Sequence, residues 1–549
     1  MKKTKLQEPV YADLSSHYHY PETGVLKNKY LIKDAAELEQ KRRSSEEIAR
    51  FSLQSNPVRG PMDSRYLRDL HVRLNGDVFE WAGILRSEDF VFADGSKASM
   101  PIVTKEGVDS GLFATGKGVI ENLKRLDQSL TDSNYLKGLS HEQFVDGAAR
   151  MFVLLHQTRP FVAGNKLVCQ VFMQHLAEEA GHKLDFSLVQ QDRLYDACKA
   201  AMRNNDFSLV NGLFEDISNP EKMMILKESV SHVRQDGGVG TPAMALPGET
   251  YAGVCVGSGD NCCTVRVGSA YFAVSKDNLT PEQIKTLKYG EEVHFTALAD
   301  SQLENRLIPG ERFGSLKRRE ISEKIAENSS VRMARMNVER LARFVYGSES
   351  ALNNVLACIN ASPELGESCA QQIEDQPKSI GKLAGKKYLG CFKSHDRRVA
   401  ESSLPGLCDA IECYADAAVQ AKREVLQDDR IERERRGQEV LMPSVRLQKL
   451  LEFSPMVRQE ALQNSPSLQR DLDVFLKRVN DRLSRSEQLA IRARDYKSLA
   501  KSLGTSLLKA EKIVSICEEA GKMKRDLECS ALCTRVSKSA QSKSMAMAS

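Results

Sequence analysis

Residues 159–172 read Arg159-Pro160-Phe161-Val162-Ala163-Gly164-Asn165-Lys166-Leu167-Val168-Cys169-Gln170-Val171-Phe172, and this stretch decides how the first half of the chain is read. Gly164-Asn165 shapes a turn into a helix N-terminus, and Phe161 and Phe172 are core residues. The N–H groups after Asn165, with Lys166 and Arg159 beside them, can attract an anion. The plainer reading is a turn kept only for folding. Just upstream, Phe144, Ala148, Met151, Phe152 and Leu155 recur on one helical face. Further out, Phe90-Val91-Phe92 followed by Ala93-Asp94-Gly95-Ser96 alternates and then turns, the pattern of a short hairpin.

At 549 residues the chain exceeds one core and predicts three or four domains. A hydrophobic share of 41% and a charged share of 28% are those of an ordinary soluble protein, and a net charge of +4 argues neither for nor against nucleic acid, so local patches carry that question. Thirteen cysteines occur without a CxxC pair, which reads as reduced, mostly buried thiols and no metal site. No run of eighteen apolar residues is present. The basic start Met1-Lys2-Lys3-Thr4-Lys5 lacks the apolar segment of a Sec signal peptide.

Residues about 10–230 are helix-rich, and Gln235 to Pro242 is a Gly/Pro-rich linker. From about 245 to 312 the pattern turns to short strands with one helix at Pro281–Leu287, the size and content of a small OB-like β-barrel. From about 315 to 435 helices are expected over Ile321–Tyr346, Leu352–Gln372 and Pro405 to about Arg435. Residues about 440–534 read as further helix pairs of bundle type. The tail 535–549, basic and without acid residues, reads as disordered.

The opening stretch resembles the signature of Fic domains, H-P-F-x-[D/E]-G-N-G-R-x-x-R, whose enzymes usually move AMP from ATP onto a target hydroxyl. Tyr20-Pro21, Asp77 to Gly83 with Arg86, and Ala177 to Ser187 resemble other parts of that family, so the likeness spans most of 15–215. By the resemblance, Arg159 stands where the general base would be, and a guanidinium cannot accept a proton at physiological pH. Ala163 stands at the Mg²⁺-holding acid and offers no ligand to a hard cation. Lys166 and Leu167 replace a glycine and an arginine, and Gln170 replaces the arginine that would hold the terminal phosphates. Pro160, Phe161, Gly164 and Asn165 keep the framework. Losing the base alone costs about 10²–10⁴ in rate, and the metal and arginines carry the charge stabilisation. The resemblance therefore implies a pseudoenzyme without catalytic residues, metal or cofactor. Its alternative is a residual or altered AMP transferase that uses ATP and Mg²⁺ through Arg159, Lys166 or a substitute base such as His156. In active family members the flap, here Phe90, Val91 and Phe92, docks a target segment by strand addition; an ordinary exposed hairpin is the other reading.

Val345-Tyr346-Gly347, the run from Gln376 to Gly385 and Arg397-Arg398-Val399-Ala400 resemble the BID domain of type IV secretion substrates. Fic, OB and BID in that order is the architecture of the Bartonella effector proteins. The fold class implied is mainly α and multidomain: a helical Fic fold with a flap, an OB-like barrel, a BID four-helix bundle and further helices. Lys378, Lys382, Lys386, Lys387, Lys393, Arg397 and Arg398 stand against Asp396 alone in that window. Such a patch suits an acidic coupling protein or an anionic inner leaflet, at about 1 kcal/mol per basic residue; a solvated bundle end is the alternative. The resemblance implies synthesis in the bacterial cytoplasm, secretion into the host cytosol, a host-protein partner and attachment to the host plasma membrane. Few basic residues accompany Tyr251, Tyr271 and Phe272, which disfavours nucleic acid as a partner of the strand region.

Overall fold

The computed structural model describes residues 15–103, 110–388 and 392–547, so the basic start at 1–5 lies outside the described residues. The chain is mainly helical and divides into two compact units. One takes residues up to Asn278 with Leu287–Ala299; the other takes Leu279–Thr286 and the chain from Asp300.

The first unit opens with α1 (Ala35–Ser55) and α2 (Ser64–Asn75), whose first free N–H groups are met by the carboxylates of Asp34 and Asp63. The expected hairpin follows as β1 (Phe90–Val91) and β2 (Lys97–Ala98), turned at Gly95 with a φ of 81°. Then come α3 (Lys117–Asp132), α4 (His141–Thr158), α5 (Asn165–Glu179), α6 (Gln191–Asn204), α7 (Ser208–Ser218) and α8 (Pro220–Gln235). Ser140 and Gln143 form a reciprocal capping box at the start of α4. The apolar face expected for α4 is buried throughout and meets Leu67 and Leu70 of α2, Leu126 and Leu130 of α3, and Phe172 of α5.

The strand region is a five-stranded sheet of β3 (Ala243–Met244), β4 (Thr250–Ser258), β5 (Cys262–Val267), β6 (Ala270–Ser275) and β7 (Glu292–Thr296). Its order is β3-β6-β5-β4-β7, antiparallel except for the parallel pair β3–β6. The outer strands β3 and β7 are not hydrogen-bonded to each other, so among the described residues the sheet is open at that edge. Nor is Gln235–Pro242 a loose linker. The sheet is fastened to α8: Thr264 Oγ1 lies 2.7 Å from Ser229 Oγ and 2.9 Å from His232 Nδ1, and Asn261 N–H donates to Glu228 at 3.0 Å. Beyond the helix end, the Asp236 carboxylate accepts from Tyr271 and Tyr289, each at 2.9 Å, and pairs with Arg266 at 3.2 Å. Glycine is needed at 238 because a Cβ there would sit 2.6 Å from the Tyr271 hydroxyl.

In the second unit, α9 (Pro281–Thr286), α10 (Asp300–Asn305) and β8 (Arg306–Ile308) precede α11 (Arg318–Glu327), α12 (Ser329–Tyr346), α13 (Asn353–Ala361) and α14 (Gly366–Asp375). A two-residue hairpin, β9 (Lys387–Tyr388) with β10 (Phe392–Lys393), leads into α15 (His395–Gly437). The helix expected over 321–346 is broken at Asn328, whose side chain caps α12, and the one over 352–372 is broken by Pro363. The third begins ten residues earlier than expected, with Pro405 inside α15. These helices share one core around Val338, Val345, Ile359, Ile411 and Tyr414.

After β11 (Val440–Leu441), helices α16 (Val445–Glu452), α17 (Pro455–Asn464), α18 (Pro466–Arg482), α19 (Arg485–Ala493), α20 (Tyr496–Leu503) and α21 (Leu507–Met547) build a further core. Leu307 and Ile308 belong to it, because β8 pairs with β11. Residues 300–312 thus pack with the C-terminal helices and not with the strand region to which the sequence pattern attached them. The tail differs too: α21 is continuous to Met547, through the span expected to be disordered. Composition argues against a core there, but extending an existing helix needs no nucleation, and Ala, Lys, Gln and Met are good helix formers.

Replacing Asp236 with Ala removes the common acceptor of Tyr271, Tyr289 and Arg266. We expect a small loss, read as a modestly lowered thermal midpoint of the first unit, because Tyr289 and Arg266 are exposed and water can replace the carboxylate.

Candidate functional site

The loop between α4 and α5 is held by its own backbone partners before any ligand is considered. Arg159 ends α4 in the left-handed conformation, φ 41°, with its N–H on Leu155 O. Asn165 bridges the loop: its Oδ1 accepts from Phe161 N–H at 2.9 Å and its Nδ2 donates to Phe161 O at 2.6 Å. Gly164 has φ 77°, and a Cβ there would lie 2.7 Å from the Asn75 side chain, so position and conformation both demand glycine. Pro160 and Phe161 are buried, and Phe161 stacks on His71 with ring centroids 3.8 Å apart.

His71 fixes the middle of the loop. Gly83 N–H donates to its Nδ1 at 2.8 Å, which leaves the hydrogen on Nε2, and that nitrogen donates to Ala163 O at 3.0 Å. Burial pushes its pKa from 6.5 to about 4, so the ring is neutral at physiological pH. The backbone oxygen of Ala163 is therefore engaged, and its side chain is a methyl group.

Arg86 holds the ends of the loop. It is 1% exposed and pairs with no carboxylate among the described residues; Nε donates to Arg159 O at 2.7 Å, Nη1 to Met100 O at 2.9 Å and Pro101 O at 2.8 Å, and Nη2 to Thr158 O at 3.3 Å and to Ala114 O. Its own N–H donates to Pro160 O at 2.8 Å. One side chain thus ties the flap end, the segment before α3, the end of α4 and the loop. Burial and then the nearby charge of Arg159 lower its pKa to about 10.

The Arg159 guanidinium lies over the Phe113 ring, 4.1 Å from its centre, an arrangement of cation–π type. Burial lowers its pKa, but a guanidinium remains a donor and not a base. His156 sits one turn earlier among Phe113, Phe152 and Tyr195, with its Nε2 buried and unpartnered. Burial, then Arg159, brings its pKa to about 4. Gln170 donates from Nε2 to Gln191 Oε1 at 3.1 Å. Lys166 is exposed and makes no ion pair among the described residues, and Leu167 packs its side chain against the core.

Ala163, Gly164, Lys166, Leu167 and Gln170 line one side of an open cavity of about 850 Å³. The opposite wall comes from α1, with Glu39, Arg42, Arg43, Glu46 and Arg50. Arg42 pairs with Glu39 at 2.8 Å and with Glu46, and Arg43 pairs with Glu39 at 3.0 Å. Four cations face two carboxylates, so the cavity has a positive balance, but both carboxylates are occupied by arginine. Arg159 does not line it, so its charge is not joined to that of Lys166. Nothing in the sequence around 159–172 signals the α1 wall, which lies more than a hundred residues away. The Mg²⁺-ATP group implied by the signature does not fit this side of the cavity: the loop offers no carboxylate, and Gln170 supplies a neutral amide already bonded to Gln191.

The flap residues separate. Val91 is 54% exposed, Phe90 is half-buried, and Phe92 is buried against Tyr18 with Lys27 over its ring. Phe92 therefore belongs to the core, leaving Val91 as the outward apolar side chain of the three. In the second unit the first two of the three BID-like stretches meet: Tyr346 OH donates to Pro377 O at 3.1 Å and Ala384 N–H to Val345 O at 2.9 Å. Lys378, Lys382, Lys386, Lys387 and Arg398 are exposed without ion pairs among the described residues. Lys393 and Arg397 instead share Glu401, at 2.5 and 3.0 Å. Asp396 is thus not the sole acid beside the patch; the helical turn brings in Glu401, just past the window read in the sequence.

Arg86→Met should destabilise the first unit by about 3 kcal/mol, because five buried or half-buried carbonyls lose a charged donor; chemical denaturation checks it. His71 and His156 have folded values below the unfolded one, so the unfolded chain binds more protons below about pH 6.5. Stability should fall between about pH 6.5 and 4 and level off below, and His71→Phe should remove part of that slope in denaturant midpoints taken across this range.

Comparison with known proteins follows the same division. Residues 324–416 match the family described as the BID domain of Bartonella effector protein (Bep). Along its length the chain is 39% identical over 536 residues, 97% of this chain and 97% of the relative, to a protein adenylyltransferase of Bartonella henselae. It is 30% identical over 184 residues to protein adenylyltransferase VbhT of Bartonella schoenbuchensis, 34% of this chain and 35% of that one. Among solved structures, type IV secretion system effector protein BepA matches at 39% identity and a TM-score of 0.48, covering 52% of this chain and 96% of that one. With a relative aligned from end to end and a BID domain in its second half, the chain belongs to the Bartonella effector protein family.

Proposed function

We propose that the chain is a type IV secretion substrate that acts in the host cytosol as a non-catalytic Fic scaffold for a host protein. The observation that carries this reading is Arg159: at the base position stands a permanent cation, turned onto Phe113. Ala163 without a ligand oxygen and Gln170 bonded to Gln191 support it, and imply that neither Mg²⁺ nor ATP serves as cofactor. The loop is nonetheless held by Asn165, His71 and Arg86, so its framework is intact where its chemistry is not. An outward Val91 on the flap suits strand addition by the partner.

The BID domain is the export element in this reading. Its exposed Lys378, Lys382, Lys386, Lys387 and Arg398 present the chemistry an acidic coupling protein or the anionic inner leaflet of the host plasma membrane would recognise. The relative from Bartonella henselae bears the name of an adenylyltransferase, which favours a second reading, residual AMP transfer.

Incubation of the purified chain with host lysate and ATP labelled in its α-phosphate separates the two. We expect no labelled protein above the level of Asn165→Ala. Strong labelling that Arg159→Ala or Asn165→Ala abolishes would establish the transferase and end the scaffold reading. Truncation before Ser315 is expected to abolish transfer into host cells; transfer at the full-length level would refute the export role of the second half.

A further inference from the structure

The sheet of the first unit holds three fully buried cysteines on adjacent strands: Cys255 on β4, and Cys262 and Cys263 on β5. The pleat sends neighbouring side chains to opposite faces. Thr264 faces α8, where it meets Ser229 and His232, and Cys262 packs with the helical core on that same side. Cys263 and Val265 therefore face the other way, as does Cys255, which pairs with Val265 in the ladder.

Cys255 and Cys263 are diagonal neighbours, which in a regular ladder stand about 7–8 Å apart. Here β4 carries a bulge: Cys255 faces Val265, Gly257 faces Thr264, and Val256 between them has no opposite residue. The bulge draws the diagonal pair together, and the two sulfurs lie 3.4 Å apart. Gly257 permits it, since a Cβ there would stand 2.3 Å from the His232 ring.

We propose that Cys255 and Cys263 form a modification site, a thiol pair that a peroxide oxidant converts into a disulfide between β4 and β5. The Cys255 thiolate attacks a peroxide oxygen; the O–O bond breaks, a sulfenic acid forms on Cys255, and the departing hydroxide takes up a proton to become water. The Cys263 sulfur then attacks the sulfenic sulfur; the S–O bond breaks, the S–S bond forms, and the hydroxyl leaves as water with the Cys263 proton. Two thiols lose two electrons and two protons, and one hydrogen peroxide becomes two waters.

The order of attack follows from the hydrogen bonding. With Cys263 as the donor in that contact, the bond lowers the Cys255 pKa against burial, while the same contact and burial raise that of Cys263. Both sulfurs are sealed from solvent, so oxidation waits on local opening of the sheet and is slower than that of exposed Cys358 and Cys413. Cys262, on the other face, is excluded from the pair although it is the nearer residue in sequence.

The test uses the full chain treated with hydrogen peroxide, blocked with a thiol alkylator under denaturing conditions, digested and mapped by mass spectrometry. The expected product is a Cys255–Cys263 linked peptide, lighter by two hydrogens than its reduced parts, retained in Cys262→Ala and lost in Cys255→Ser. Full alkylation of both residues after Cys358 and Cys413 have been oxidised, or linkage of either to Cys262, overturns the proposal. Should Cys255→Ser fail to fold, the map of the unsubstituted chain decides by itself.

Discussion

A buried guanidinium without a carboxylate organises the first unit. Arg86 is almost fully enclosed, and an unpaired charge in that position costs several kcal/mol unless dipoles replace its water. Five carbonyl oxygens from three separate segments do so. The constraint runs in both directions. Pro101 O also accepts from Gly116 N–H, and the Arg86 side chain draws the flap end, the segment before α3 and the end of α4 to one point. The shape of the Arg159 loop depends on this arrangement.

The loop has two layers. Its scaffold is backbone held by Asn165, His71 and Arg86, with Phe161 stacked between core and loop. Its side chains at the cavity are a methyl, a lysine, a partly buried leucine and an amide, and these are what the loop contributes beside the charged residues of α1. Because the layers use different atoms, the second can change without collapsing the first. That separation is the physical reason the loop can keep its backbone while its cavity-facing side chains are exchanged.

Sequence patterns reached local features well: the α4 face, the hairpin at Asp94-Gly95, and the strands at 250–275 all follow from short-range periodicity and turn residues. They were weaker wherever a residue's role depended on a distant partner. Phe92 alternates as a strand residue should, yet Tyr18 makes it core. The basic run at 378–398 looks nearly unopposed until one helical turn brings Glu401 to Lys393 and Arg397. The glycines around 237–240 look like a linker until Tyr271 and Asp236 close over them.

By itself the sequence determined which residues occupy the loop, and hence that position 159 is a cation and 163 has no ligand oxygen; those are properties of side chains, independent of fold. It also carried the order of modules, because helical and strand periods are local. Only the tertiary structure decided where those side chains point and what surrounds them. It turned Arg159 onto Phe113, set the arginines and glutamates of α1 across the cavity from Lys166, and gave residues 300–312 to the C-terminal core. The reason is the same in each case: burial, pairing and cavity walls are contacts between residues far apart in the chain, and no local pattern encodes the partner.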